Sequence, residues 1–102
     1  MSRTIVVNIK DCAKFDVYCG RASSCPEGFT GPGADGMFGN PYLLTNHSRE
    51  ISLELYRALF AKRLLLEQPF AEAVLALRGK VLGCWCVPLP CHAQVIADWL
   101  NK

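Results

Sequence analysis

The chain has 102 residues, of which 51% are hydrophobic and 20% are charged, and its formal net charge is +2. This length supports one hydrophobic core, so residues 1–102 are predicted to form a single domain, and the composition excludes a disordered or fibrous chain. The basic residues are scattered along the sequence, which argues against nucleic acid as a partner.

The sequence predicts neither a secretory nor a membrane segment. Met1 is followed closely by a short apolar stretch with no small-residue cleavage site behind it. No apolar run approaches the ~20 residues of a membrane-spanning helix. We therefore expect a cytoplasmic protein without membrane contact, in which the six cysteines favour free thiols, metal ligands or redox chemistry over disulfides.

Two short strands and a long loop are predicted first. Residues 4–9 and 15–19 are rich in β-branched, aromatic and apolar side chains, which favours strands. Residues 20–41 are rich in glycine, proline, serine and aspartate, which are typical of tight turns. A loop of this length in a small domain is commonly functional.

Two helices, a third strand and a last helix are predicted next. Asn46 or Ser48 caps a helix that runs to about Glu67, and Pro69 begins a second helix that Gly79 ends. Residues 80–86 alternate as a strand, and residues 91–100 form the last helix. The predicted buried stripe of the first helix is Ile51, Leu55, Tyr56, Leu59, Phe60 and Leu64, and that of the last helix is Val95, Ile96, Trp99 and Leu100.

This element order predicts the fold class. The order β-β-α-α-β-α indicates an α/β fold, with a small single-layer sheet of about three strands and helices packed on it. The sheet is expected to be mixed or partly parallel, because a long helical crossover joins the second strand to the third.

A cluster of thiols and one imidazole lies between the third strand and the last helix. The strand alternation places Cys84 and Cys86 on one face, and Cys91 and His92 begin the helix. These four residues are candidate ligands of a zinc ion, although the Cys-x-Cys-x4-Cys-His spacing is not a common zinc motif. Alternatively, Cys91 is a catalytic thiol activated by the helix N-terminus with His92 as the base. The structural alternative is that the cysteines are small core residues and His92 is a cap or surface residue.

A second candidate site lies at the end of the second strand and in the loop. Arg21 is placed to bind a phosphate or carboxylate through its guanidinium group. The last helix lacks a Ser, Thr, Asp or Asn cap, so its first amide groups are available to an anion. The candidate ligand-binding residues are Gly20, Arg21, Gly39, Asn40, Tyr42 and Trp85.

Three stretches of the chain resemble a known family. They are Val-Tyr-x-Gly-Arg at 17–21, Gly-Asn-Pro-Tyr at 39–42, and Leu-Arg-Gly-Lys-Val-Leu-Gly-Cys-Trp-Cys-Val-Pro-Leu-Pro-Cys-His at 77–92. The chain is similar to the short bacterial and phage proteins of domain-of-unknown-function family 4326. That resemblance implies no particular activity, and the loop of this chain is longer than the family pattern.

The hypothesis that follows is a domain that binds a small anionic ligand, such as a nucleotide or a nucleotide derivative, at the end of the sheet. One alternative is a thiol- or metal-dependent transferase or hydrolase that uses the cysteine and histidine cluster. Another is a zinc-stabilised interaction module. No cofactor is predicted with certainty, zinc is the candidate metal, and a homodimer is a further candidate assembly.

Overall fold

The computed structural model describes residues 3–11, 14–42, 45–86, 89 and 91–102. In these residues the strands and α-helices follow one another in the predicted order β-β-α-α-β-α. They are β1 (Ile5–Asn8), β2 (Val17–Tyr18), α1 (Arg49–Leu66), α2 (Gln68–Leu75), β3 (Val81–Cys84) and α3 (His92–Leu100). Cys12, Pro88 and Pro90 lie outside the described residues.

The described strands form one parallel sheet in which β3 lies between β1 and β2. Gly83 of β3 is level with Val7 on one side and with Tyr18 on the other. The two helices α1 and α2 form the crossover from β2 to β3, as parallel strands require. Because all three strands run in the same direction, Asn8, Tyr18 and Cys84 end at the same edge of the sheet. This is the edge at which open α/β sheets bind ligands.

The helix α1 packs on the core through a face centred on Leu53, Tyr56 and Phe60. Ser48 is its N-cap, as predicted, and accepts a hydrogen bond from the backbone of residue 51. The prediction that Ile51 belongs to the buried stripe is wrong, because this side chain is 54% exposed. At about 100° per residue, Ile51 lies roughly 200° around the helix from Leu53 and therefore on the solvent side.

The helix α3 covers the core with small and branched side chains. Ile96 and Leu100 are buried as predicted, but Trp99 is 36% exposed and Val95 is only partly buried. Two alanines of α3 are buried instead, Ala93 and Ala97. None of the helices in the described ranges is both long and apolar enough to cross a membrane.

The strand β3 is shorter than its sequence pattern predicts. It ends at Cys84, and Trp85 and Cys86 lie in a bend beyond it. The flanking strands provide no partner further on, because β1 ends at Asn8 opposite Cys84 and β2 ends one position earlier. The prediction that Cys86 belongs to the strand with Cys84 is therefore wrong, and Cys86 is only partly buried whereas Cys84 is almost fully buried.

Candidate functional site

A cavity of about 550 Å³ lies at the edge where the strands end. Each strand leads into its wall: Lys10 follows β1, Arg21 follows β2, and Cys86 follows β3. The first turns of α1 and α3 complete the wall. The described residues that line the cavity are Lys10, Gly20, Arg21, Ser24, Asn40, Tyr42, Thr45, Arg49, Ser52, Leu53, Trp85, Cys86, Cys91 and His92.

Most of the residues that the sequence singled out lie in this one cavity. The candidate ligand-binding residues in its wall are Gly20, Arg21, Asn40, Tyr42 and Trp85. Gly39 is not in the wall. A Cβ atom at Gly39 would lie 2.8 Å from the carbonyl oxygen of Gly20, so this glycine lets two segments of the wall pack closely.

Three cationic side chains line the cavity, and its described lining contains no aspartate or glutamate. Lys10, Arg21 and Arg49 come from three different parts of the chain. The Nε atom of Arg21 donates a hydrogen bond of 2.8 Å to the backbone oxygen of Asn40, which fixes the direction of the guanidinium group. The cavity therefore combines converging positive charge with partial enclosure, which favours an anion.

Lys10 and Arg49 were not predicted from the sequence. Arg49 follows the N-cap Ser48, so it is a cation in the first turn of α1. The helix dipole disfavours a positive charge at that position. Such a local conflict indicates a functional or strained position, and it is the signal that could have identified Arg49.

A buried hydrogen-bond network holds one wall of the cavity. The Nδ2 atom of Asn40 donates to Oγ of Ser52 at 2.8 Å, and this hydroxyl donates to the backbone oxygen of Tyr42 at 2.8 Å. The backbone amide of Tyr42 in turn donates to Oδ1 of Asn40 at 2.9 Å. This network joins the end of the long loop to α1, so the wall is held in place before any ligand binds.

The start of the same loop holds the side chain of Trp85 in place. Its Nε1 atom donates to the backbone oxygen of Ser24 at 3.1 Å and lies 3.3 Å from the Tyr18 hydroxyl. That hydroxyl donates to the backbone oxygen of Arg21 at 2.8 Å. The indole is thus fixed against the segment that carries Arg21.

The thiols form a row from the core to the cavity. The Sγ atoms of Cys84 and Cys91 are 3.1 Å apart, and both side chains are almost fully buried. Cys91 also contacts Cys86, which is half-buried and lines the cavity. Contacts with Cys91 and then with Arg49 lower the pKa of Cys86 against the opposing effect of burial, which favours its thiolate form. The pKa of Cys91 is raised by its contacts with Cys84 and Cys86 and by burial.

His92 is buried and follows the N-cap Cys91, so the structural alternative that makes it a cap or surface residue does not hold. Its Nε2 atom contacts the backbone oxygen of Cys19, and a carbonyl oxygen accepts hydrogen bonds only, so Nε2 carries the proton. The Nδ1 atom then faces Sγ of Cys91 at 3.8 Å as an acceptor. Burial lowers the pKa of His92 despite the carbonyl contact, so the ring is neutral near pH 7.

The four predicted zinc ligands lie close together, between the end of β3 and the start of α3. Across the part of the chain that the structure describes, no three His, Cys, Asp or Glu side chains are placed so that they could share a metal. The Nε2 atom of His92 contacts Cys19 while its Nδ1 atom faces Cys91, and Cys84 and Cys91 contact each other within the core.

Comparison with known proteins gives a family but no activity. The model of the family described as "Domain of unknown function (DUF4326)" matches residues 7–102, a range that includes every lining residue of the cavity. An uncharacterized 12.4 kDa protein in the nrdA-td intergenic region of Enterobacteria phage T4 is 38% identical over 55 residues. The match covers 54% of this chain and 51% of the phage protein, so the chain spans about half the length of the curated relative it matches. No solved structure matches.

Proposed function

We propose that this chain, which belongs to the DUF4326 family, binds a small phosphate-bearing ligand of the mononucleotide class in the cavity at the sheet edge. The observation that carries this proposal is the convergence of Lys10, Arg21 and Arg49 on a cavity whose described lining has no carboxylate. Guanidinium and ammonium groups bind phosphate through charge-assisted hydrogen bonds.

The cavity has the size and enclosure of a small-molecule site. Its volume of about 550 Å³ falls within the range of roughly 300 to 1,000 Å³ that is usual for such ligands. The helix α3 begins at its wall without a side-chain cap, and the dipole of α3 adds positive potential there. Both features favour a compact anion over an extended polymer.

Two aromatic side chains favour a ligand that also carries a flat group. Trp85 and Tyr42 line the cavity together with Leu53, so the wall is not uniformly polar. An indole ring held by hydrogen bonds offers a surface on which a nucleobase stacks. Inorganic phosphate alone would leave this part of the cavity unused.

Calorimetric titration of the purified protein with AMP, ADP, adenosine and inorganic phosphate tests the proposal. We expect ADP and AMP to bind and adenosine to bind at least about tenfold more weakly, a difference of about 1.4 kcal/mol. The variants Lys10→Gln and Arg21→Gln should each weaken nucleotide binding by about tenfold. Arg21→Lys should retain part of the affinity because it keeps the charge.

The matched control is Arg78→Gln, which removes an exposed arginine that does not line this cavity. It should leave the nucleotide affinity unchanged. The proposal is wrong if no nucleotide binds, or if Arg78→Gln weakens binding as much as Arg21→Gln does. Binding of adenosine as tightly as AMP would also contradict it, since the phosphate would then contribute nothing.

A further inference from the structure

Of the thiols in the row, Cys86 has the greatest access to the cavity. It is half-buried and lines the wall, whereas Cys84 is 1% exposed and is absent from the lining, and Cys91 is only 3% exposed. A reagent in the cavity therefore meets Cys86 first. Cys91 lies directly behind it in hydrogen-bonding contact.

The surroundings of Cys86 stabilise a thiolate. Its sulfur is in hydrogen-bonding contact with Cys91 and with the guanidinium of Arg49, and Arg21 adds positive charge. A thiolate is the form of cysteine that attacks electrophiles, and a second thiol in contact with it is the arrangement of an attacking and a resolving cysteine.

We propose that Cys86 and Cys91 carry out thiol–disulfide exchange with an anionic, low-molecular-weight disulfide bound in the cavity. The Cys86 thiolate attacks one sulfur of the substrate disulfide. That disulfide bond breaks, a mixed disulfide forms on Cys86, and the first substrate thiolate leaves.

The second step releases the other half of the substrate. Cys91 attacks the Cys86 sulfur of the mixed disulfide, a Cys86–Cys91 disulfide forms, and the second thiolate leaves with the proton that Cys91 gives up. The two cysteines lose two electrons and the substrate gains them, so one disulfide is reduced to two thiols. No reagent other than the substrate disulfide is required.

The substrate class rests on the proposed function, because the cations that would hold a phosphate would equally hold the carboxylates of a disulfide. Lys10 and Arg21 line the same cavity as Cys86. A disulfide that carries carboxylates should therefore react faster than a neutral one of similar size.

Reaction of the fully reduced protein with oxidised glutathione, followed by intact-mass measurement and peptide mapping, tests this inference. The wild type should pass through a glutathione adduct on Cys86 and end as a Cys86–Cys91 disulfide, with two glutathione molecules released per chain. Cys91→Ser should stop at the Cys86 adduct. Cys86→Ser should lose the reaction at this site.

The matched control is Cys25→Ser, since Cys25 is also a partly buried free cysteine but lies outside the cavity lining. It should react as the wild type does. Early quenching and mapping of the wild type locate the first adduct even where a Cys91 variant fails to fold. A first adduct on Cys25, or none on Cys86, overturns the inference.

A neutral disulfide, hydroxyethyl disulfide, separates this inference from the proposed function. The rate at which Cys86 reacts with each disulfide is divided by the rate at which free N-acetylcysteine reacts with the same disulfide, which corrects for the intrinsic reactivity of each reagent. A preference for oxidised glutathione of about tenfold is expected, and its loss in Lys10→Gln supports the substrate class. Equal normalised rates overturn the anionic substrate while leaving Cys86 as the nucleophile. An unreactive Cys86 in a protein that still binds nucleotides overturns only the thiol chemistry.

Discussion

His92 shows how one buried side chain connects the core to the site. Its ring packs edge-on against Tyr56 with centroids 5.1 Å apart, and its two nitrogens face Cys19 and Cys91. A proton added to this ring would have to remain in an environment that burial makes unfavourable for charge. The histidine therefore couples the stability of the fold to pH.

We predict that His92 destabilises the protein as the medium becomes acidic. Burial lowers the pKa of His92 in the folded state, whereas the unfolded chain takes up a proton near pH 6.5, so acidification below about 6.5 favours unfolding. The stabilising contribution is present above that pH and is lost as the pH falls toward the folded-state pKa. In urea unfolding at pH 7 and pH 5, His92→Gln should show a smaller loss of stability than the wild type.

The control for this measurement is His47→Gln, which removes the other histidine of the chain. It should keep the wild-type difference between the two pH values. An unchanged difference in His92→Gln would show that other groups cause the acid sensitivity.

Some site residues could be predicted from the sequence because their local chemistry is distinctive. Arg21 follows the second predicted strand and Asn40 lies in a turn beside proline, so position along the chain was sufficient for these two, whereas Trp85 was predicted within the third strand and follows it in the structure. Lys10 and Arg49 were missed because their role depends on where β1 and α1 pack relative to the cavity. Hydrophobic patterning does not contain that information for charged residues.

At the scale of elements, the loop over residues 20–41 forms an ordered part of the cavity wall. The backbone amide of Tyr18 donates to Pro32 at 2.9 Å, so the loop covers the free edge of β2. Successive turns follow, with Gly36 donating to Gly33 and Gly39 donating to Gly36, each at 2.9 Å. The composition of this stretch predicted turns, but only the packed structure shows that they hold Arg21 and Asn40 in position.

We predict that Gly33→Ala destabilises the protein much more than Gly28→Ala. Both glycines have positive φ, at 85° and 84°, so an alanine is strained at either position. A Cβ atom at Gly33 would also lie 1.8 Å from the backbone oxygen of Tyr18, whereas nothing lies within 4 Å at Gly28. We expect losses of about 3 kcal/mol and about 1 kcal/mol in the free energy of unfolding, respectively.

Urea unfolding monitored by circular dichroism measures both losses. Equal losses in the two variants would mean that the loop moves away from Tyr18 at little cost, and the wall described above would not be rigid. A matching loss of nucleotide affinity in Gly33→Ala alone would link this wall to the site.

At the scale of the whole molecule, the sequence predicted the order of the elements better than their arrangement. The order β-β-α-α-β-α follows from local patterns, and the parallel crossover follows from the long helical connection. The central position of β3 and the early end of that strand are set by contacts between distant residues. Because β3 ends at Cys84, Cys86 lies beyond the strand and lines the cavity. The different positions of Cys84 and Cys86 could therefore be seen only in the structure.

The extent of the buried core bears on whether the fold needs a metal for its stability. The buried core joins Cys84 and Cys91 to aromatic and aliphatic side chains from all three helices, including Phe60, Phe70 and Ile96. A core that extends across a domain of this length can stabilise the fold without a metal. Within that core, Cys91 contacts both Cys84 and Cys86.

We therefore predict that chelation leaves the fold intact. Thermal unfolding of the reduced protein before and after treatment with a strong zinc chelator should give the same midpoint, because Cys84 and Cys91 are packed in the apolar core. Cys86→Ser should likewise unfold near the wild-type midpoint, since its half-buried side chain lies at the cavity wall. A fall in the midpoint on chelation that added zinc reverses would contradict this view. Elemental analysis of the same sample would then identify the metal, and a zinc-stabilised domain would replace the thiol pair as the explanation of the cysteine row.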